Sequence, residues 1–395
     1  MDVSLIPKRR YFAVKVLATF LSVVFAFLYS RELGIINRSI LVYTFTLSSM
    51  TWIILTSGTT LTLRKMRPSG ESQKFGSFVS LVAIETLVGI MTLAIGLAAY
   101  SKFKTEIPIP LLPLIFGYFL LSGVAMILVE TLVSFLKYLH SGFIELAAVV
   151  IQILFFFLLL QPFEFSIASR LLISFNASYL LICFWMIRAL SKLGVPRYAM
   201  APPQIFWKLT KGSHLLGVTL GIMDRLDRFL IAFYFPTGTL AKYSAMSTLI
   251  SYFRFVPEFF SRIIVSGFIL PSAVILRNKF AIVTFFLASA FVIVLTSRFL
   301  ISNFLGREWA LGFAVFVAFA IQEILRGLYQ ITLNHKAKLN LSLITNSVPL
   351  SLVIIALILS TIMAKVFGVI GIPVAFSITF ASATLVSVLW SRHVR

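Results

Sequence analysis

Apolar runs of about 20 residues follow one another along this chain, and that repetition constrains the fold more than any single motif. Twenty residues is the length at which an α-helix, at ~1.5 Å per residue, crosses a ~30 Å hydrocarbon layer. In order, the runs fall at 11–29, 39–63, 76–100, 108–136, 142–161, 167–188, 206–235, 239–268, 280–301, 309–333, 340–363 and 366–390. Twelve transmembrane helices are therefore expected. A soluble globule needs more polar surface than this chain has: 59% of its 395 residues are hydrophobic and 12% charged, with a mean hydropathy of +1.01. Ten-residue alternating strands are absent, which excludes an outer-membrane barrel. The fold class is an all-α integral membrane protein.

The basic residues are distributed as topology signals. The net charge is +21, which in a soluble chain would suggest nucleic acid, but here most Lys and Arg flank apolar runs. With the N-terminus inside, nineteen of the 34 fall on the cytoplasmic side and nine opposite. That bias places both termini in the cytoplasm. Lys8, Arg9 and Arg10 precede the first run as in a signal peptide. No small-x-small cleavage site follows, so a retained first span is expected. The longest polar break, 191–211, carries Pro196, Pro202 and Pro203 and reads as a cytoplasmic linker. It separates an N-terminal lobe, 1–190, from a C-terminal lobe, 206–395, with six spans each around a central cavity.

Several chemistries are absent from the sequence. Cys183 is the only cysteine, and His140, His214, His335 and His393 are scattered without ligand spacing, so neither a disulfide nor a metal centre is expected. There is no P-loop, no large soluble domain and no periodic Arg ladder of a voltage sensor. No cofactor is expected, and the chain does not read as an enzyme.

The unusual stretch is GIMDRLDRFLIAFYFPTGTLAKYSAMSTLISYFRFVPEFFSR, 221–262. Charged groups at membrane depth cost about 2.5–3.5 kcal/mol each on insertion scales unless paired or hydrated. In the seventh span Asp224, Asp227 and Arg228 are three and four residues apart, which places them on one helical face, with Arg225 turned away. In the eighth, Arg254, Glu258 and Arg262 form one stripe at a spacing of four. The tenth adds Gln322, Glu323 and Arg326, and the first adds Lys15. Two readings are open: internal ion pairs that lock the helices, or a hydrated site where Arg meets an anion and carboxylates bind a coupling cation. Guanidinium favours phosphate because its fork donates two parallel hydrogen bonds.

Two stretches resemble a known family. RELGIINRSILVYTFTLSSMTWIILTSGTTLTLRK (31–65) has an LG turn, a Tyr and a Gly pattern. MDRLDRFLIAFYFPTGTLAKYSAMSTLISYFRFVPEFFSRIIVSGFILPSAV (223–274) has a D-R-hydrophobic, G-x-x-x-Y-S-x-A and late L-P-S pattern. Together with length and span count, these resemble Wzx-type flippases of lipid-linked polysaccharide repeat units, within the multidrug/oligosaccharidyl-lipid/polysaccharide (MOP) exporter superfamily. The first turn departs from the pattern in lacking a second Gly before Tyr43.

The resemblance implies a V-shaped pair of six-helix lobes in the bacterial inner membrane. An undecaprenyl-diphosphate-linked oligosaccharide would cross by alternating access, as in O-antigen assembly for lipopolysaccharide. Its diphosphate would fall to Arg225, Arg228 and Arg254, with Arg262, Arg326 and Lys15 as further ligands. Asp224 and Asp227 would bind H⁺ or Na⁺, and Glu258 and Glu323 would act as charge partners. Membrane lipids, a polysaccharide polymerase and a chain-length regulator are the implied partners; nucleic acid is not. The rivals are a cation-coupled multidrug exporter or a peptidoglycan-precursor flippase of the same superfamily. From another class comes a non-transporting membrane glycan-assembly protein.

Overall fold

The computed structural model describes residues 6–65, 72–134, 138–159, 165–191, 204, 214–215, 217–219, 221–250, 279–338 and 342–393. Among these residues every regular element is helical, and no strand occurs. The chain divides into two compact units, Met1–Gly221 and Ile222–Arg395. The proposed linker, 191–211, lies outside the described residues except for Ser191 and Gln204.

The first unit is built on α1 (Ile6–Lys65), which bends at Gly34 with φ 72 and ψ 170. That backbone region is essentially closed to L side chains, so the two arms of α1 can meet there only through glycine. The helices α2 (Ser72–Phe103), α3 (Leu112–Ser134), α4 (Tyr138–Leu154) and α5 (Ile167–Ser191) follow. A π-helical turn, Phe155–Leu159, extends α4. The long helix α1 packs on all four others, and α5 packs on α3 and α4.

Large side chains fix these contacts. Trp52 is buried and its Nε1 donates to the Phe119 carbonyl at 2.7 Å. Tyr43 stacks on Tyr100 at 3.9 Å and donates to the Gly96 carbonyl at 3.1 Å. Where α3, α4 and α5 meet, the core is Ala125, Ala148, Ile182, Cys183 and Met186; the two alanines allow the close approach that drives helix association in lipid. Buried hydroxyls bond within their own helix: Thr44, Thr56 and Thr131 donate to the carbonyl four residues back at 2.7–2.9 Å. This satisfies them without water, as a hydrocarbon surround requires.

The second unit contains α6 (Leu226–Tyr234), α7 (Thr237–Ile250), α8 (Lys279–Leu300), α9 (Phe313–Lys338), α10 (Ser342–Phe367) and α11 (Gly371–His393). Here α11 packs on α9 and α10, α7 packs on α6, α8 and α9, and α6 touches α10 and α11. Phe235 and Pro236 turn the chain between α6 and α7, with Thr239 N–H bonded to the Pro236 carbonyl at 2.9 Å.

Among the described residues six stretches are long and apolar enough to cross a membrane, and two of them, Val16–Thr56 and Val348–Leu389, each run through a helix break. All six, and the shorter apolar helices Gly142–Leu158 and Phe291–Leu305, fall on runs read from the sequence. The runs at 206–235 and 239–268 are described only in part. Met91, Ile95, Phe184, Phe291 and Val366 are each more than half exposed, which suits a hydrocarbon surround and would be a liability in water. The protein is an all-α, multi-pass membrane protein.

Candidate functional site: a buried charge network in the second unit

The seventh apolar run is not one continuous helix. Residues 221–223 are helical, Asp224 and Arg225 form a turn, and α6 begins at Leu226. The Arg225 N–H bonds the Ile222 carbonyl at 3.0 Å, and its backbone (φ −127, ψ −13) is off the helical values. The expectation that Asp224, Asp227 and Arg228 share one helical face is therefore corrected, because Asp224 precedes the helix. Asp227 takes the role that begins a helix. It lies in the first turn of α6, where its Oδ1 accepts the Arg228 N–H at 2.8 Å. A carboxylate there meets the otherwise unbonded N–H groups and the positive end of the helix dipole.

The other oxygen of Asp227 reaches across the hairpin. Tyr243 on α7 donates its hydroxyl to Asp227 Oδ2 at 3.0 Å, and both residues are buried. The Tyr243 ring meets Phe319 of α9 edge-on at 5.4 Å. Arg228 donates from Nη2 to Ser247 Oγ at 3.2 Å, and Ser247 in turn donates to the Ser244 carbonyl at 3.1 Å. The two bonds Asp227–Tyr243 and Arg228–Ser247 tie α6 to α7.

One turn beyond Phe319, α9 carries the second group. Arg326 forms an ion pair with Asp224, and its Nη1 lies 3.7 Å from Glu323 Oε1. Glu323 is fully buried and Arg326 is 3% exposed, whereas the Asp224 side chain is 36% exposed. The Arg326 guanidinium also lies 5.9 Å from the Phe380 ring of α11. One guanidinium thus serves two carboxylates. With all three groups ionised, this trio carries a net charge of −1. Burial lowers the local dielectric, so each of these pairings is stronger than it would be in water.

The structure thus joins Asp224, Glu323 and Arg326 in one group and places Asp227 and Arg228 in a second. Arg225 is half-buried in the turn between them. Lys15 lies on α1 in the first unit, and Arg254, Glu258 and Arg262 are outside the described residues. Among the described residues no cluster of three or more His, Cys, Asp or Glu is arranged to hold a metal ion. Sequence reasoning missed Tyr243 and Ser247 as partners of the charges. The signal was present, since residues at similar distances on either side of Pro236 face each other in a helical hairpin.

No protein-family model and no curated protein sequence matches the chain. Solved structures do share its fold. The lipid II flippase MurJ, in an inward closed conformation, superposes with a TM-score of 0.65 at 16% identity over 98% of this chain and 88% of MurJ. An inward-facing multidrug resistance MATE family transporter of the MOP superfamily gives 0.60 at 13% identity, covering 97% of this chain and 94% of the other. A mutant of the Vibrio cholerae MATE transporter VcmN gives 0.52 at 11% identity, covering 97% and 95%. The chain has the fold that these membrane transporters share.

Proposed function

We infer that the protein is a MOP-type transporter that flips an undecaprenyl-diphosphate-linked oligosaccharide repeat unit across the bacterial inner membrane by alternating access. The observation that carries this reading is the sharing of Arg326 between Asp224 and Glu323. A diphosphate in hydrocarbon meets a prohibitive desolvation barrier, and guanidinium groups can replace its water shell. Release then requires that something else take the guanidinium back. Asp224 is exposed enough to leave Arg326 and return to it, and Arg228 donates to the Ser247 hydroxyl nearby. In this scheme the anion borrows the Arg groups while H⁺ or Na⁺ neutralises the carboxylates they leave. The remaining basic candidates are Arg225, Arg254 and Arg262, and Lys15 of the first unit, with Glu258 as a further exchange partner.

A second reading, a cation-coupled multidrug exporter, draws on the fully buried Glu323 and the buried Asp227, since acidic groups suit cationic drugs. Transport in vesicles separates the two. Purified protein should move a fluorescent polyprenyl-diphosphate oligosaccharide, and replacing both Arg228 and Arg326 with Gln should reduce the rate at least tenfold. Undiminished flipping by that double variant, or transport of organic cations but not of the diphosphate, overturns the flippase reading.

A further inference from the structure

Two arginines of the first unit, Arg38 and Arg170, have a buried Nε without a hydrogen-bond partner among the described residues. Arg38 lies on α1 four residues after the Gly34 bend and is 4% exposed. It donates to the Tyr29 hydroxyl, and its guanidinium lies 4.6 Å from the Tyr29 ring centroid. Its Nε is buried without a hydrogen-bond partner among the described residues. Arg170, in the first turn of α5, lies 5.8 Å from the Phe156 ring, and its Nε is likewise buried and unpartnered. Neither Arg38 nor Arg170 pairs with a carboxylate among the described residues. One aromatic cluster joins the two arginines. Tyr29 contacts Phe25 at 5.1 Å, Phe25 contacts Phe156 at 5.7 Å, and Phe175 borders both Phe25 and Tyr29.

We propose that Arg38 and Arg170, set at the two ends of this aromatic cluster, form a binding site for a phosphate group at the membrane surface. A buried guanidinium without a carboxylate favours an added anion, and its planar fork matches phosphate oxygens. The depth follows from helix length. Each arm of α1 is long enough to cross the hydrocarbon layer, so a chain that crosses twice reverses near Gly34, at a surface. The apolar span Ile167–Leu190 begins beside Arg170, which puts that arginine at the end of its own span. Arginine with aromatic rings at that level is the composition that holds a headgroup phosphate. The source is a phospholipid headgroup or free phosphate, and the chemistry at the two arginines is the same.

The test uses the full chain in detergent, with native mass spectrometry and thermal unfolding as readouts. The probes are inorganic phosphate, a short-chain phosphatidylglycerol and a phosphate-free diacylglycerol. Phosphatidylglycerol should be retained and should raise Tm, while diacylglycerol should do neither. Arg38→Gln and Arg170→Gln should each bind about tenfold more weakly, with Arg38→Lys intermediate. Arg188→Gln, at the other end of α5, should bind as the native chain does. A response to inorganic phosphate as well identifies a site open to free phosphate, and a response to the lipid alone identifies a headgroup site. If Arg38→Gln does not fold, the half-buried Arg170 carries the test. Equal retention of phosphatidylglycerol by Arg170→Gln and the native chain, or equal retention of diacylglycerol and phosphatidylglycerol, overturns the proposal.

Discussion

Tyr243 donates its hydroxyl to Asp227 Oδ2 at 3.0 Å across the turn between α6 and α7, and both side chains are buried. The other oxygen of the same carboxylate holds the Arg228 N–H at 2.8 Å. Asp227 therefore starts one helix and ties it to the next, and the position of Arg228 depends on both bonds. A hydrogen bond to a charged acceptor contributes about 1.5–3 kcal/mol. Tyr243→Phe keeps the ring against Phe319 and removes only the donor. Thermal unfolding of the purified variant should show a loss of about 2 kcal/mol. An unchanged Tm would mean that the bond contributes nothing to the hairpin.

Arg326 is the partner of two acids, so its removal should cost more than the removal of either. Arg326→Ala removes the ion-pair partner of the buried Glu323, a change of the kind that costs about 3–5 kcal/mol. Replacing the acid as well, in Glu323→Leu with Arg326→Met, should restore much of that stability, because an apolar replacement of a buried pair is often neutral. A double-mutant cycle measures the coupling. Additive losses in the cycle would show that the 3.7 Å approach of Glu323 to Arg326 carries no energy.

Asp224 differs from the other acids in being 36% exposed. Pairs that reach solvent contribute about 1 kcal/mol or less, so Asp224→Asn should unfold close to the native temperature. Its effect should appear in transport instead. With Asp224 neutral, Arg326 belongs to Glu323 alone, and the rate in vesicles should lose its response to an imposed pH or Na⁺ gradient. A variant that keeps the full gradient response would assign coupling to another group.

The helices could be read from the sequence because membrane spans are set by one quantity, the length of an apolar run. The helices α2, α3, α5, α10 and α11 all fall on expected runs. The start of α6 at Leu226 could not be read that way, since 206–235 reads as a single run and only the local bonds of Arg225 and Asp227 mark the break. The charged residues were conspicuous for a related reason, their cost in an apolar chain. Their partners were not, because spacing rules hold only within one unbroken helix. Asp224 meets Arg326, about a hundred residues away, through the packing of the unit and not through any periodicity.

Gly34 offers a sharper test of how α1 is built. Its φ of 72 and ψ of 170 lie outside the left-handed helical region that Asn tolerates, and no atom lies within 4 Å of the position of an added Cβ. The cost of a side chain is therefore torsional and not steric. Gly34→Ala and Gly34→Asn should lose similar amounts, about 1–3 kcal/mol. Asn performing clearly better than Ala in thermal unfolding would show that the bend uses a different backbone conformation.

Gly123 provides the complementary case, where the cost is steric. A Cβ there would overlap the indole of Trp52, and that ring is held by its Nε1–H bond to the Phe119 carbonyl at 2.7 Å and by stacking on Phe119 at 5.1 Å. The ring cannot move aside without losing the bond, so Gly123→Ala should cost about 1–3 kcal/mol, as overpacking does. Gly312→Ala adds the same methyl where nothing lies within 4 Å and should be near neutral. Combining Gly123→Ala with Trp52→Phe relieves the overlap, so the pair should lose less than the sum of its single changes. Strict additivity would mean that α1 and α3 separate to admit the methyl instead of clashing over it.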